Sequence, residues 1–239
     1  MSLQAVFFDL YGTLVDIDVD ESQASLWQAI QALINPTDDM SDPRKLRHQF
    51  EKCLQKASRR TDSSTFETAV RDFLHRVPHA NATSRDEFQA VFRRASRQRL
   101  ALRPYAVKLI QRLKRAGLKV ALISNTEAAL TRIDLYDVGM ESVFELIILS
   151  SDIGIEKPDP RIFQKALNEL HLTPDEVVYI GDNQIDDIQG SAAAGIRSIL
   201  ITNQSAVRRL PELCIGTTGI DGKEILKLLQ KYAAMPHAI

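Results

Sequence analysis

Five short stretches of the chain are continuously apolar: Ala5-Val6-Phe7-Phe8, Val120-Ala121-Leu122-Ile123, Leu146-Ile147-Ile148-Leu149, Val177-Val178-Tyr179-Ile180 and Ser198-Ile199-Leu200-Ile201. Runs without polar alternation are the pattern of strands whose sheet is covered on both faces. Helical spacing appears just before the second run and between later ones. Ala106, Leu109, Ile110 and Leu113 fall on one face, and so do Ile162, Phe163, Ala166, Leu167 and Leu170. Asp159-Pro160 supplies an N-cap with proline at the first helical position, and Thr173-Pro174-Asp175-Glu176 reads as a capping box with the same proline. Strand and helix in alternation predict an α/β fold, a doubly wound parallel sheet of Rossmann-like type.

The first run is set apart from the rest. The stretch of residues 16–101 carries helical signals and no predicted strand: Ser41-Asp42-Pro43 is a helix start, and Phe88, Val91, Phe92 and Ala95 share a face. A connection of that length is too structured for a loop, so it is predicted to be an inserted helical subdomain. The α/β core then comprises residues 1–15 and 102–239.

Bulk properties narrow the classes. A formal net charge of -1 gives no reason to expect nucleic acid or an acidic membrane surface as partner. No apolar run approaches the roughly 20 residues of a membrane span. The N-terminal stretch lacks the charged start and apolar core expected of a secretory leader. Cys53 and Cys214 are too far apart for a metal or redox motif. The expectation is a cytoplasmic protein, monomer or homodimer, with a small molecule as partner.

Ligands of open α/β sheets sit at the carboxyl ends of the strands, so the residues that follow each run are the candidates. Asp9, ending the first run before Gly12, suits a nucleophile or metal ligand, although Asp also caps turns. Ser124-Asn125-Thr126-Glu127 reads as a capping box or as the Ser124 hydroxyl presented to a substrate oxygen at a helix start. Lys157, between Glu156 and Pro158, is either solvated or positioned to neutralise charge near Asp9. Asp182, Asp186 and Asp187 are helix-start acids or a set of hard oxygens suited to Mg²⁺.

The order of these segments is more specific than any one of them. FFDLYGTL, LISNTE, EKPDPRIF and YIGDNQIDDIQGSAAAG, in that order, resemble the four motifs of the haloacid dehalogenase superfamily, over about residues 5–202. The resemblance implies a hydrolase with a helical cap inserted in a Rossmann-like core. It implies Asp9 as nucleophile, Ser124 as the hydroxyl of the second motif, with Asn125 beside it at the substrate, and Lys157 as the lysine that holds nucleophile and substrate. It also implies Mg²⁺ held by Asp9, Asp182 and the backbone oxygen of Tyr11, with Asp187 ordering the metal's surroundings and Lys157. Asp186 receives no role.

The first motif departs from the phosphatase pattern. Phosphatases of this superfamily carry a second Asp, the general acid and base, where this chain has Tyr11; tyrosine there resembles the 2-haloacid dehalogenases, which work without metal. The acid at position 182 points the other way, to a metal-dependent phosphatase. The resemblance therefore implies an Mg²⁺-dependent phosphatase of a small phosphorylated metabolite. The alternatives are a metal-free dehalogenase with Tyr11 in its site, or a weakly active regulatory protein. Among the arginines from Arg85 to Arg103, Arg93 or Arg97 is a candidate for a second anionic group of the substrate, against the plainer reading of a solvated charged face.

Overall fold

Each of the five apolar runs becomes a strand, and all five join one parallel sheet. The structure, a computed structural model, describes residues 3–34, 42–59, 65–77, 83–201, 214–217 and 222–234. Along the chain, β1 (Ala5–Phe8) and β2 (Val15–Val19) precede helices α1 (Ala24–Ile34), α2 (Pro43–Ala57), α3 (Thr65–Arg76) and α4 (Arg85–Ser96). Then come β3 (Arg97–Leu102), α5 (Ala106–Arg115), β4 (Lys119–Ser124), α6 (Ala128–Asp137), β5 (Leu146–Leu149), α7 (Ser150–Ile153) and α8 (Pro160–Leu170). The remainder is β6 (Val177–Gly181), α9 (Gly190–Ala193), β7 (Arg197–Ile201), β8 (Cys214–Thr217) and α10 (Gly222–Ala234).

By backbone proximity the chain divides into two units. The first is Met1–Asp16, Ala101–Thr126 and Val138–Ile239; the second is Ile17–Leu100 with Glu127–Asp137. In the first, the strand order is β5-β4-β1-β6-β7-β8. Phe8 lies opposite Leu122 on one side and Ile180 on the other. From β1 the chain builds β4 and β5 outward on one side, then returns across β1 to build β6 on the other. The order reverses at β1, so the residues just past β1, β4 and β6 share the crevice in which such sheets bind ligands. The sheet is covered as its unbroken apolar runs require. Ala106, Leu109, Ile110 and Leu113 of α5 are buried, and Ile162, Phe163, Ala166 and Leu167 of α8 pack in one cluster with Phe7, Ile123 and Tyr179.

Three local features differ from the sequence reading. Thr173 and Glu176 do pair, the Thr173 backbone N–H donating to Glu176 Oε2 at 2.9 Å, but they enclose a single 3-10 turn, because Val177 already begins β6. The stretch read as purely helical starts in β2 and ends in β3, which pair as a two-stranded sheet; Val15-Asp16-Ile17-Asp18-Val19 alternates apolar and polar, a half-covered strand rather than a continuous run. A sixth strand, β8, extends the parallel sheet. Asp42 caps α2 as expected, accepting from the Arg44 N–H at 2.9 Å, while Ser41 and the side chain of Cys214 lie outside the described residues.

The second unit is α1 to α4 packed with α6. Phe50 is its centre, with ring centroids of Trp27, Phe66, Phe73, Phe88 and Phe92 at 5.7, 5.8, 5.5, 5.6 and 5.3 Å. Leu130 of α6 belongs to the same buried cluster. This changes two expectations. Glu127–Asp137 groups with the helices rather than with the core to which residues 102–239 were assigned, because α6 is tied to α4 by charge as well as by packing. Arg93 donates to Asp134 through Nε at 2.9 Å and Nη2 at 2.5 Å, and Arg97 bridges Asp134 and Asp137 at 2.8 and 2.5 Å. Asp134 is buried with 1% side-chain exposure. The arginines considered for a substrate anion are engaged by carboxylates of their own unit. Among the described residues, no helix is long and apolar enough to cross a membrane.

Phe50→Ala should destabilise the second unit by about 3–5 kcal/mol, the range for emptying a large aromatic site in a core. Denaturant unfolding followed by fluorescence of Trp27, which borders the site, measures the change.

Candidate active site

Asp9 is the first residue beyond β1, in the crevice of the sheet. Two side chains reach the same oxygen of it: Lys157 Nζ donates to Oδ1 at 2.7 Å and the Ser124 hydroxyl at 3.4 Å. The Ser124 hydroxyl is thereby turned to the nucleophile candidate. Asn125 is turned to the Lys157 backbone. Its amide clasps the backbone of Lys157 from both sides, Oδ1 accepting from the Lys157 N–H at 2.7 Å and Nδ2 donating to the Lys157 carbonyl at 2.8 Å. The Ser150 hydroxyl accepts from the Thr126 N–H at 3.0 Å and steadies the turn after β4.

Lys157 is buried, with 2% of its side chain exposed. Its ammonium touches Asp187 Oδ1 at 2.6 Å, the Tyr179 hydroxyl at 3.0 Å and the Ile123 carbonyl at 3.1 Å, besides Asp9. Burial pulls its pKa down, but Asp9 and Asp187 outweigh that and hold it above the ordinary lysine value, so the charge persists. Tyr179 was legible only as one member of an apolar run. A hydroxyl-bearing ring amid Val177, Val178 and Ile180 was the available signal, since a buried phenol must find a polar partner. Burial, then the charge of Asp187, push its pKa well up, so it keeps its proton.

Asp187 is placed by a wide turn. Residues Gln184–Gln189 wind as a π-helical turn, begun by Asn183, whose Oδ1 accepts from the Ile185 and Asp186 N–H groups at 2.9 and 3.0 Å. The turn brings Asp187 back against the end of β6, where Oδ2 accepts from the backbone N–H groups of Asp182 and Asn183 at 3.0 and 2.9 Å. Its Oδ1 is occupied by Lys157 and Tyr179, the latter at 2.9 Å. All four lone-pair directions are thus filled from within the protein, and Asp187 organises Lys157 and the loop. Gly181 makes this possible, since a Cβ there would lie 2.4 Å from the Asp187 carboxyl carbon. Asp186 pairs locally with Asn183 Nδ2 at 3.1 Å.

Asp182 stands apart from the ammonium. It is exposed and meets the Thr13 hydroxyl at 3.4 Å. Gly12 lets it approach the turn after Asp9: its φ is +83°, and a Cβ would fall 2.2 Å from Asp182 Oδ2. One oxygen each from Asp9, Asp182 and Asp187 lie within 4.8 Å of one another. Burial, and then the neighbouring Asp187, raise the pKa of Asp182. Asp9 is pushed up to about 7, first by burial, against the opposing pull of Lys157 and with Asp187 and Asp182 adding to the rise. Three carboxylates facing a single ammonium form a hard-oxygen site short of positive charge, which a divalent cation fits. Tyr11 lies in the turn between Asp9 and Gly12, bridged to Val15.

The four segments gathered here match known proteins over most of the chain. The model of the haloacid dehalogenase-like hydrolases matches residues 3–195. A phosphoserine phosphatase of Thermus thermophilus is 34% identical over 135 residues, 56% of this chain and 53% of that protein, so the chain spans about half its length. An (S)-2-haloacid dehalogenase of Burkholderia cepacia is 29% identical over 217 residues, covering 85% of this chain and 84% of that one. The crystal structure of a 2-haloacid dehalogenase from Pseudomonas syringae shares the fold with a TM-score of 0.67 at 22% identity, covering 97% of this chain and all of its own. With the matched segment carrying Asp9, Ser124, Lys157 and Asp182 to the crevice of one parallel sheet, the chain belongs to the haloacid dehalogenase-like hydrolases.

Proposed function

We propose that the protein is a Mg²⁺-dependent phosphatase acting on a small phosphorylated metabolite through an aspartyl-phosphate on Asp9. The observation that carries this reading is Asp182: an acidic side chain brought beside the turn after Asp9 by the close approach that Gly12 allows, in a site whose single ammonium is already committed to Asp9 and Asp187. Without a cation, that carboxylate would oppose the arrival of any anionic substrate. Asp9, Asp182 and the backbone carbonyl of Tyr11 would hold Mg²⁺, which when bound supplies Lewis-acid stabilisation of the transferring group's charge.

The chain's own residues account for the remainder. Lys157 and Ser124 both engage Asp9 Oδ1, which leaves Oδ2 as the attacking oxygen. It displaces the alcohol from phosphorus in line, and water then cleaves the acyl phosphate to regenerate the carboxylate. Lys157 offsets charge on both the nucleophile and the phosphoryl oxygens. Tyr11 occupies the place of the acid–base carboxylate, and a tyrosine of ordinary pKa, about 10, is a poor base near neutrality. Good leaving groups should therefore be preferred.

A second reading has an observation of its own. Tyr11 suits displacement of halide from a 2-haloacid, since halide leaves without a proton, and the dehalogenase relative covers more of the chain than the phosphatase relative does. A paired assay separates them. 4-Nitrophenyl phosphate hydrolysis should need Mg²⁺ and stop with chelator, while 2-chloropropionate should release no chloride. Chloride release that persists in chelator, without phosphatase activity, selects the dehalogenase.

Asp9→Asn is nearly isosteric and should abolish turnover at unchanged thermal stability; fluoroberyllate should label the wild type and not the variant. Full activity in Asp9→Asn removes the nucleophile. Tyr11→Asp should raise hydrolysis of alkyl phosphates about tenfold or more, part of the 10²–10⁴ that general acid–base catalysis supplies, and aryl phosphates less. The half-buried ring leaves space behind when removed, so the melting temperature is measured beside the rate. A folded Tyr11→Asp protein with no gain on any phosphate ester contradicts the phosphatase.

A further inference from the structure

Lys157 brings three N–H donors to four acceptors. The carboxylates of Asp9 and Asp187, at 2.7 and 2.6 Å, are the short, charge-assisted partners and hold two of them. The third is divided between the Tyr179 hydroxyl at 3.0 Å and the Ile123 carbonyl at 3.1 Å. Tyr179 differs from the other acceptors because its hydroxyl also donates. Its two outlets are neighbours of the same ammonium: Asp187 Oδ1 at 2.9 Å and the Ile123 carbonyl at 3.2 Å. The ring is fully buried and packs edge-on against Phe163, centroids 5.1 Å apart, so the hydroxyl has no access to water as a third choice.

An ammonium whose protons are all engaged offers nothing to a substrate. To reach an oxygen of the transferring group, Lys157 must withdraw its third N–H, because the other two face full negative charges. Once it does, rotation of one phenolic O–H places a proton on the Ile123 carbonyl, which keeps a side-chain donor throughout. We propose that Tyr179 is a positioning residue for Lys157: its hydroxyl takes over the Ile123 carbonyl and so releases one ammonium N–H to the charge that develops beside Asp9. This rests on the assignment of Asp9 and Lys157 to the reaction and holds for either leaving group. No bond to Tyr179 forms or breaks; a single proton changes acceptor.

Tyr179→Phe in the full-length chain removes the hydroxyl and keeps the ring against Phe163. The released N–H meets charge that grows in the transition state, so kcat should fall about tenfold, the worth of one hydrogen bond there. KM should stay within about twofold of wild type, because ground-state binding is untouched. In a Lys157→Met background the same substitution should alter the residual rate by less than about twofold, since the group it acts through is gone. A packing defect would instead lower both backgrounds alike and reduce the melting temperature. The substrate is whichever of 4-nitrophenyl phosphate with Mg²⁺ or 2-chloropropionate the wild type hydrolyses. Wild-type kcat in folded Tyr179→Phe, or equal losses in both backgrounds, overturns the role of Tyr179 and leaves Asp9 and Lys157 standing. A wild type that hydrolyses neither substrate overturns the reaction assignment and this inference with it.

Discussion

A buried ammonium sets the terms for everything around it. Taking a lysine charge out of water costs several kcal/mol even after relaxation, and it is tolerated only where opposite charge and hydrogen bonds replace the lost solvent. Lys157 meets that condition with carboxylates at 2.7 and 2.6 Å and two neutral oxygens. Those groups come from three strands, Asp9 just past β1, Ile123 in β4, and Tyr179 in β6 with Asp187 in the turn beyond it, so the ion pair can form only when β1, β4 and β6 lie side by side in register. The clasp of Asn125 on the Lys157 backbone serves the same end from the other direction, by fixing where the side chain starts.

Accommodating three acids near one base needs space as much as charge. Gly12 and Gly181 supply it at the two points where a carboxylate crosses a neighbouring backbone at less than the distance a Cβ would need. The two positions differ in kind. Gly12 also has a left-handed backbone that side chains resist, whereas Gly181 is required by proximity alone. The residual negative charge is concentrated on Asp182, which faces outward, while Asp187 has all its oxygens satisfied from within. The acidic cluster therefore divides into one internal strut and one outward carboxylate. Tyr11 then replaces an acid with a phenol in the same turn, a change in proton chemistry rather than in charge balance at Asp182.

The helical unit solves its own problem with different means. Its core is built on aromatic rings around Phe50, and its cationic helix face is closed by Asp134 and Asp137 of α6. Breaking such a pair strands a buried charge, which is why α6 keeps company with α4 rather than with the strand it follows in sequence.

Much of this was legible in the residues themselves. Unbroken apolar runs determined five strands, because a strand covered on both faces has no polar position to spare. The order of motifs placed Asp9, Ser124, Lys157 and Asp182 together, because strands of a parallel sheet present their following residues at one edge. β2 and β8 were missed for want of a continuous apolar run: β2 alternates, and Cys214-Ile215-Gly216-Thr217 is barely apolar. Partnership between side chains far apart in sequence was beyond local pattern altogether. Whether Arg93 meets solvent, substrate or Asp134, whether Asn125 faces a ligand or the Lys157 backbone, and whether Tyr179 is packing or part of a proton-sharing network depend on distances across 41, 32 and 22 residues of chain. Periodicity reports which face of an element is covered; which groups meet on the covered side is decided only when the elements pack.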